Sequence, residues 1–463
     1  MKRTLITNGL ILTAREQFRG SILIEDGLIS QVIRSNQNNG ADDIIDANGS
    51  YVIPGAVDPH VHMELDTPTG TSSDDFFSGS KAAIAGGTTT IIDFITPERD
   101  EPITNALIKR KLAAKKSLTD YGLHASIVNW TDNTAREIED CINTGGITSF
   151  KLYLAYQKSI GITDQQLAHA LETIGKAGGM AMIHCEDDAL IAHLQKFFIH
   201  NGNSSPAFHP KSRPVEAEAV AVLKAISYAK IFNCPLYIVH VSSADSVQLI
   251  SEAQEKGIMV TGETCPQYLL LDQDNYEKPF AEAAKYVISP PLRSNFDRWK
   301  LWNALRNNIL SVVSTDHCPF NLEGQKSAGA DNFTLIPNGA GGVEFRPALL
   351  YTYGVLSKRI TLNQWVALIS TNPAKIFGIS HKKGDIQPGM DADLVIWNPD
   401  RSTVISAKNH YQHCDSNIYE GMTTCGAPDY VIKRGEIVFR NNNFFLSGIQ
   451  GEYLKRQFPI FQL

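Results

Sequence analysis

Residues 51–62 read Tyr51-Val52-Ile53-Pro54-Gly55-Ala56-Val57-Asp58-Pro59-His60-Val61-His62. An apolar run of this kind, bounded by polar groups, is the pattern of a buried strand. Side chains two apart on a strand share a face, so Asp58, His60 and His62 are expected to point the same way. His60 and His62 are then close enough to share one metal ion. Taken alone, the pair is equally compatible with two exposed loop histidines.

Downstream of this stretch, short apolar runs alternate with helical patterns. Strands are predicted at 88–94, 123–128, 149–154, 180–183, 236–241, 259–263 and 310–314, and helices at 105–116, 164–176, 213–232 and 243–256. Repeated β-then-α units mean an α/β protein with a parallel sheet. About eight units over roughly 320 residues suit a (β/α)8 TIM barrel with insertions. A doubly wound open sheet is the second option, but no Gly-rich phosphate fingerprint follows the first strand. Upstream, 4–13 and 21–24 read as strands, and Asp26-Gly27 is a hairpin turn before 28–33. Strands return at 392–397, and 430–433 and 436–440 flank Arg434-Gly435. The two chain ends are therefore expected to form a smaller β-sandwich. The predicted division is 1–54 and 380–440 for the sandwich, 55–379 for the barrel, and 441–463 for an aromatic-rich tail that contacts a neighbouring subunit.

The 463 residues exceed the size at which one core stops growing, which agrees with two domains. With 42 basic and 49 acidic residues the net charge is −7, which argues against nucleic acid as the partner. No run approaches the roughly 20 apolar residues that span a bilayer, so no membrane association is expected. The seven cysteines are scattered with no paired spacing, and a cytoplasmic location follows as the simplest expectation.

Three further polar residues stand where an apolar strand stops: His184 in Met-Ile-His-Cys-Glu, His240 in Ile-Val-His-Val-Ser, and Asp316 in Ser-Thr-Asp-His-Cys-Pro. In a barrel, those ends carry the active site. Each alone is commonly a satisfied core or loop residue; together with His60 and His62 they form a donor set suited to zinc or a similar divalent ion. Lys151 sits inside a strand that otherwise reads as buried. A snorkelling or carboxylate-paired lysine is the plainer account. Burial also lowers a lysine pKa, and a neutral amine can take up carbon dioxide as a carbamate able to bridge two metals.

The set His60, His62, Lys151, His184, His240 and Asp316 resembles that of the cyclic amidohydrolases. The likeness is greatest to the dihydropyrimidinase and hydantoinase branch and covers nearly the whole chain. Longer blocks carry it: His62-Met63-Glu64-Leu65, Ser73-Asp74-Asp75-Phe76-Phe77, Gly86-Gly87-Thr88-Thr89-Thr90, Gly262-Glu263-Thr264-Cys265-Pro266-Gln267-Tyr268, Thr315-Asp316-His317-Cys318-Pro319-Phe320 and Pro337-Asn338-Gly339. The resemblance implies two divalent ions, usually zinc. One would be held by His60, His62 and Asp316, the other by His184 and His240, with Lys151 as N6-carboxylysine between them. It implies that Tyr156 donates to the oxyanion, that the backbones of Ser289 and Asn338 hold the cyclic amide, and that Asp316 shuttles the proton. It also implies a homotetramer, with a dimer as the smaller alternative.

Dihydroorotase-like relatives place an Arg two residues after the His-x-His pair, to bind a substrate carboxylate. Here that position is Glu64. A neutral cyclic diamide is therefore expected: a 5,6-dihydropyrimidine or a 5-substituted hydantoin, opened to an N-carbamoyl amino acid. An allantoinase-like activity and a non-catalytic structural relative are the alternatives, and a one-metal deaminase would not need Lys151. Leu65, Leu152 and Leu154 flank the ligand motifs and are expected to shape the substituent pocket. His317 is expected to orient its neighbour Asp316.

Overall fold

The structure, a computed structural model, describes residues 3–34 and 41–460. Eight parallel strands follow one another in chain order round one sheet: Ala56–Val61, Thr88–Ile95, Asp120–Ser126, Ser149–Tyr153, Met180–His184, Leu236–Ile238, Val260–Thr264 and Val312–Val313. A helix lies in every interval between them, from Phe76–Ala85 to Asn295–Arg306. The strands are buried on both faces, as a parallel sheet wrapped by helices requires. Side-chain caps start the helices close to where the sequence places them. Thr163 caps Asp164–Lys176 and Ser243 caps Ala244–Glu255, and Ser294 caps a further helix, Asn295–Arg306, that is not among those predicted.

The last strand is shorter than 310–314: its regular part is Val312–Val313, flanked by Ser311 N and Ser314 N donating to Gly262 O and Thr264 O, both at 3.1 Å. The barrel closes by other means. Val61 bridges His317, and the His62 amide donates to the His317 carbonyl at 2.8 Å. Deeper in the seam, the fully buried guanidinium of Arg346 donates to the carbonyls of Val57 and Val313, both at 2.9 Å. Those carbonyls belong to the first and last strands, and Arg346 supplies the partners that a full ladder would have provided.

The apolar run at 51–57 is not one strand. Tyr51–Pro54 pairs antiparallel with Leu394–Val404 in the second sheet, and the chain enters the barrel at Ala56. Gly55 makes the crossing, where an added Cβ would lie 2.2 Å from Thr89 Oγ1. The second sheet joins both chain ends in the order Asn443–Phe444, Glu436–Arg440, Thr423–Lys433, Leu394–Val404, Tyr51–Pro54, Arg3–Leu12, Gln17–Glu25, Leu28–Ile33, with Asp43–Asp46 pairing beside Arg3–Leu12. It encloses its own core of Ile6, Ile22, Ile24, Val52, Leu394 and Ile432.

Beyond this sheet, residues 451–460 run along their own barrel. Tyr121 N donates to Glu452 O and Tyr121 O accepts from Leu454 N, while Arg456 N donates to Gly146 O. The Arg456 guanidinium is buried, donating to Ser149 Oγ and Leu123 O. Phe445, Phe458 and Ile460 keep exposed side chains, and 461–463 lie outside the described residues.

Candidate metal centre

The C-terminal ends of the strands bring six of the sequence-predicted residues together. His60 Nε2, His62 Nε2 and Asp316 Oδ1 form a triangle with every edge 3.2 Å. Its centre lies about 1.8 Å from each corner, inside the roughly 2.0–2.2 Å reach of a zinc bond to nitrogen or oxygen. His184 Nδ1 and His240 Nε2 face each other at 3.0 Å. The His60 and His240 rings, 5.5 Å apart, link the triangle to the pair. Phe94 packs against both His60 and His62.

Each cluster has an outer carboxylate. His60 Nδ1 bonds Glu263, which also accepts from the Tyr237 hydroxyl at 2.9 Å. His184 Nε2 bonds Glu186 at 2.8 Å, and Glu186 is paired with the buried Arg213. A carboxylate that takes the proton of one ring nitrogen leaves the other nitrogen as a lone pair. Lone pairs and a carboxylate thus converge, while His62 Nδ1 and His240 Nδ1 are buried without a protein partner. This donor chemistry fits divalent cations.

Burial pushes His62 down to about 4, against the opposing pull of Asp316, and it lowers His184 and His240 as well. These rings stay neutral, the form that binds metal. Burial alone would raise Asp316; the imidazoles of His60, His62 and His240 outweigh it and hold the carboxyl well below its usual range.

Lys151 is 1% exposed, with its Nζ 5.2 Å from the Phe94 ring centre and 5.1 Å from that of Tyr153. Burial lowers it to about 8, with Asp316 and Glu263 pulling the other way. Phe94, which also packs on His60 and His62, thus connects Lys151 to the donor triangle.

Tyr156 follows the Lys151 strand, its ring 5.4 Å from His184 and beneath the Arg213 guanidinium. Ser289 is buried with its hydroxyl unpartnered, and Asn338 is half-buried. Their segments are joined by Gly339 N donating to Val287 O at 3.1 Å, and Ala340 bridges His317 beside Asp316. Tyr156, His240 and Asp316 all have φ between +39° and +63°. Side chains rarely accept that region, at a cost of roughly 1–3 kcal/mol each, and such strain gathers at working sites.

Asp58 lies beside the donor triangle and serves the seam: its carboxylate takes Thr315 Oγ1 at 2.7 Å and lies 3.8 Å from Arg346 Nε. One expectation changes. Leu152 sits on the strand face opposite Lys151, in the packed core, and cannot line a pocket there. His317 does hold its neighbourhood, with Nε2 3.0 Å from Asp74 and Nδ1 accepting from Gly342 N. Glu263, Glu186 and Arg346 went unassigned from sequence. Glu263 carries the same signal as Lys151, a charge inside an apolar strand.

A parallel barrel with this donor set at its C-terminal rim defines a metal-dependent enzyme of the barrel class. The chain belongs to the amidohydrolase family, whose profile matches residues 51–438. It is 43% identical to the D-hydantoinase of Geobacillus stearothermophilus over 453 residues, 98% of this chain and 96% of that one. It is 38% identical to the dihydropyrimidinase of Rattus norvegicus over 463 residues, 98% of this chain and 89% of the other. Among solved structures, the dihydropyrimidinase from Brevibacillus agri NCHU1002 superposes with a TM-score of 0.96 at 39% identity, covering 99% of both chains. Membership of the family implies a two-metal centre. No helix among the described residues is long and apolar enough to cross a membrane.

Proposed function

We propose that the chain hydrolyses one ring amide bond of a neutral cyclic diamide, a 5,6-dihydropyrimidine or a 5-substituted hydantoin, giving an N-carbamoyl amino acid. One observation carries the reading: the 3.2 Å triangle of His60, His62 and Asp316, set beside the His184–His240 pair, with Lys151 buried over the Phe94 ring that packs on the triangle. Relatives named D-hydantoinase and dihydropyrimidinase over the full chain support it. Two divalent cations held by His60, His62, Asp316, His184 and His240 would supply hydroxide near neutral pH and a Lewis acid for the ring carbonyl. Zinc suits the donor set. Lys151, carrying carbon dioxide as a carbamate, would complete both coordination shells.

The chain's own groups do the rest. Asp316 takes the proton released by the attacking water and returns it to the ring nitrogen as the C–N bond breaks. The hydroxyl goes to the carbonyl carbon and the hydrogen to nitrogen, so one water is consumed per ring opened. Tyr156 donates to the oxygen that gains charge. The Ser289 and Asn338 backbones orient the ring against this attack. Glu64 offers no cation to a substrate carboxylate, which favours neutral rings. A homotetramer in the cytoplasm, the family expectation, completes the proposal.

Steady-state rates on dihydrouracil, hydantoin, phenylhydantoin and allantoin, with metal content measured on the same sample, test it. Turnover of dihydrouracil or a hydantoin with about two ions per chain is expected. A protein holding two ions that opens only allantoin, or no ring, overturns it.

A further inference from the structure

Lys326 is a charged residue that the mechanism leaves unused. It starts a short helical turn, Lys326–Gly329, and is 1% exposed. Its ammonium donates to two carbonyls, Val287 O and Pro337 O, both at 3.0 Å. Val287 lies two residues before Ser289, and Pro337 immediately precedes Asn338. We infer that Lys326 is a positioning residue for the ring substrate: by tying Val287 to Pro337 it sets the gap between the Ser289 and Asn338 backbones. This rests on the reading that those two backbones hold the ring.

The surroundings support a positional role. The run from Val287 to Pro290 is pinned almost carbonyl by carbonyl. Ile288 O accepts from His209 Nε2 at 2.7 Å and Pro290 O from the Tyr268 hydroxyl at 2.8 Å. Among the described residues, Ser289 is the position in the run whose carbonyl and hydroxyl are both left without a bond. The segment is thus fixed on both sides of a residue that keeps its own polar groups free. Lys326 joins this frame to the second segment, assisted by Gly339 N on Val287 O.

The ammonium is also a costly way to fill the space. Among the described residues it meets two carbonyls and no carboxylate, and burial lowers it to about 7. An apolar side chain of similar length would pack there without desolvating a charge. What it would not do is hold two carbonyls at one point.

The test compares wild type with Lys326→Met in the metal-loaded enzyme. For the best cyclic diamide substrate, KM is expected to rise at least about tenfold, with kcat within about threefold and two ions per chain retained, because no metal donor moves. A prop needed only for folding would lower the active fraction and leave KM alone. An active Met variant with KM within twofold of wild type overturns the inference. A wild-type enzyme that opens no ring overturns the functional reading and the inference with it, which separates the two failures. If the Met variant does not accumulate, hydrogen exchange on the wild type decides. A cyclic imide that binds without turnover should protect 286–292, 336–340 and 322–329 together. Protection of the first two without the third overturns the inference.

Discussion

The two ends of the barrel treat buried charge in opposite ways. At the strand starts, Lys383 lies within 2.6–2.9 Å of Asp120, Asp391 and Asp393, and Lys433 and Arg434 complete the group. Every charge there meets its opposite, and the group ties barrel, second sheet and tail together. At the strand ends, His60, His62 and Asp316 turn lone pairs toward one another, and Lys151 lies over aromatic rings rather than against a carboxylate. Burial is equal at both ends; what differs is whether the protein alone closes the electrostatic circuit. A buried set that neutralises itself holds a fold together, and one that does not is waiting for a ligand.

Exchanging the two behaviours by mutation gives the largest expected effect first. Lys151→Ala should lower kcat/KM at least about a thousandfold, more than about 4 kcal/mol of barrier, and reduce the bound metal. Compared with metal-free wild type, the metal-free variant should resist urea equally well or better, since a lone buried ammonium is removed. Kinetics, metal analysis and urea unfolding on one preparation check this, and full activity with full metal would erase the contrast. Lys383→Met should do the reverse: stability falls by about 3–5 kcal/mol because three carboxylates lose their shared partner, while kcat of the surviving fold stays within about threefold. A large drop in kcat with no loss of stability would mean that the lower end serves chemistry after all. Glu263→Gln sharpens the comparison at the smallest scale. The amide still reaches His60 but carries no charge, so metal affinity should fall about 10–100-fold while the fold holds. Competition with a chelator reads this directly.

His60, His62, His184, His240 and Asp316 were legible in the sequence because each is a polar group set against the end of an apolar run. Lys151 was legible as an anomaly, a charge where a strand should bury none. What sequence could not supply was depth and partner. Parity gives Asp58 the face of His60, but only Arg346, far along the chain, determines that its carboxylate is neutralised in the seam rather than turned to the metal triangle. The same parity, applied to Leu152, would have excluded it from the pocket. The eighth strand read as 310–314 from Leu310, Val312 and Val313; its regular part narrows to the two valines, with Ser311 N and Ser314 N still donating to Gly262 O and Thr264 O at its ends, while Arg346 takes the carbonyl of Val313. The sheet made by both chain ends was legible from its turn residues, whereas 51–57 read as one strand although the expected division lay at 54/55. Lys326 gave no signal, since its partners are backbone carbonyls and no residue pattern encodes those.

The Arg456 guanidinium has a consequence for how the enzyme comes into being. It occupies the space near the starts of the third and fourth barrel strands, yet it is translated after every one of them. A chain that has made all eight strands has still to place this donor against Leu123 O and Ser149 Oγ, so a stop codon shortly before Arg456 should leave those two groups at the base of the barrel without it.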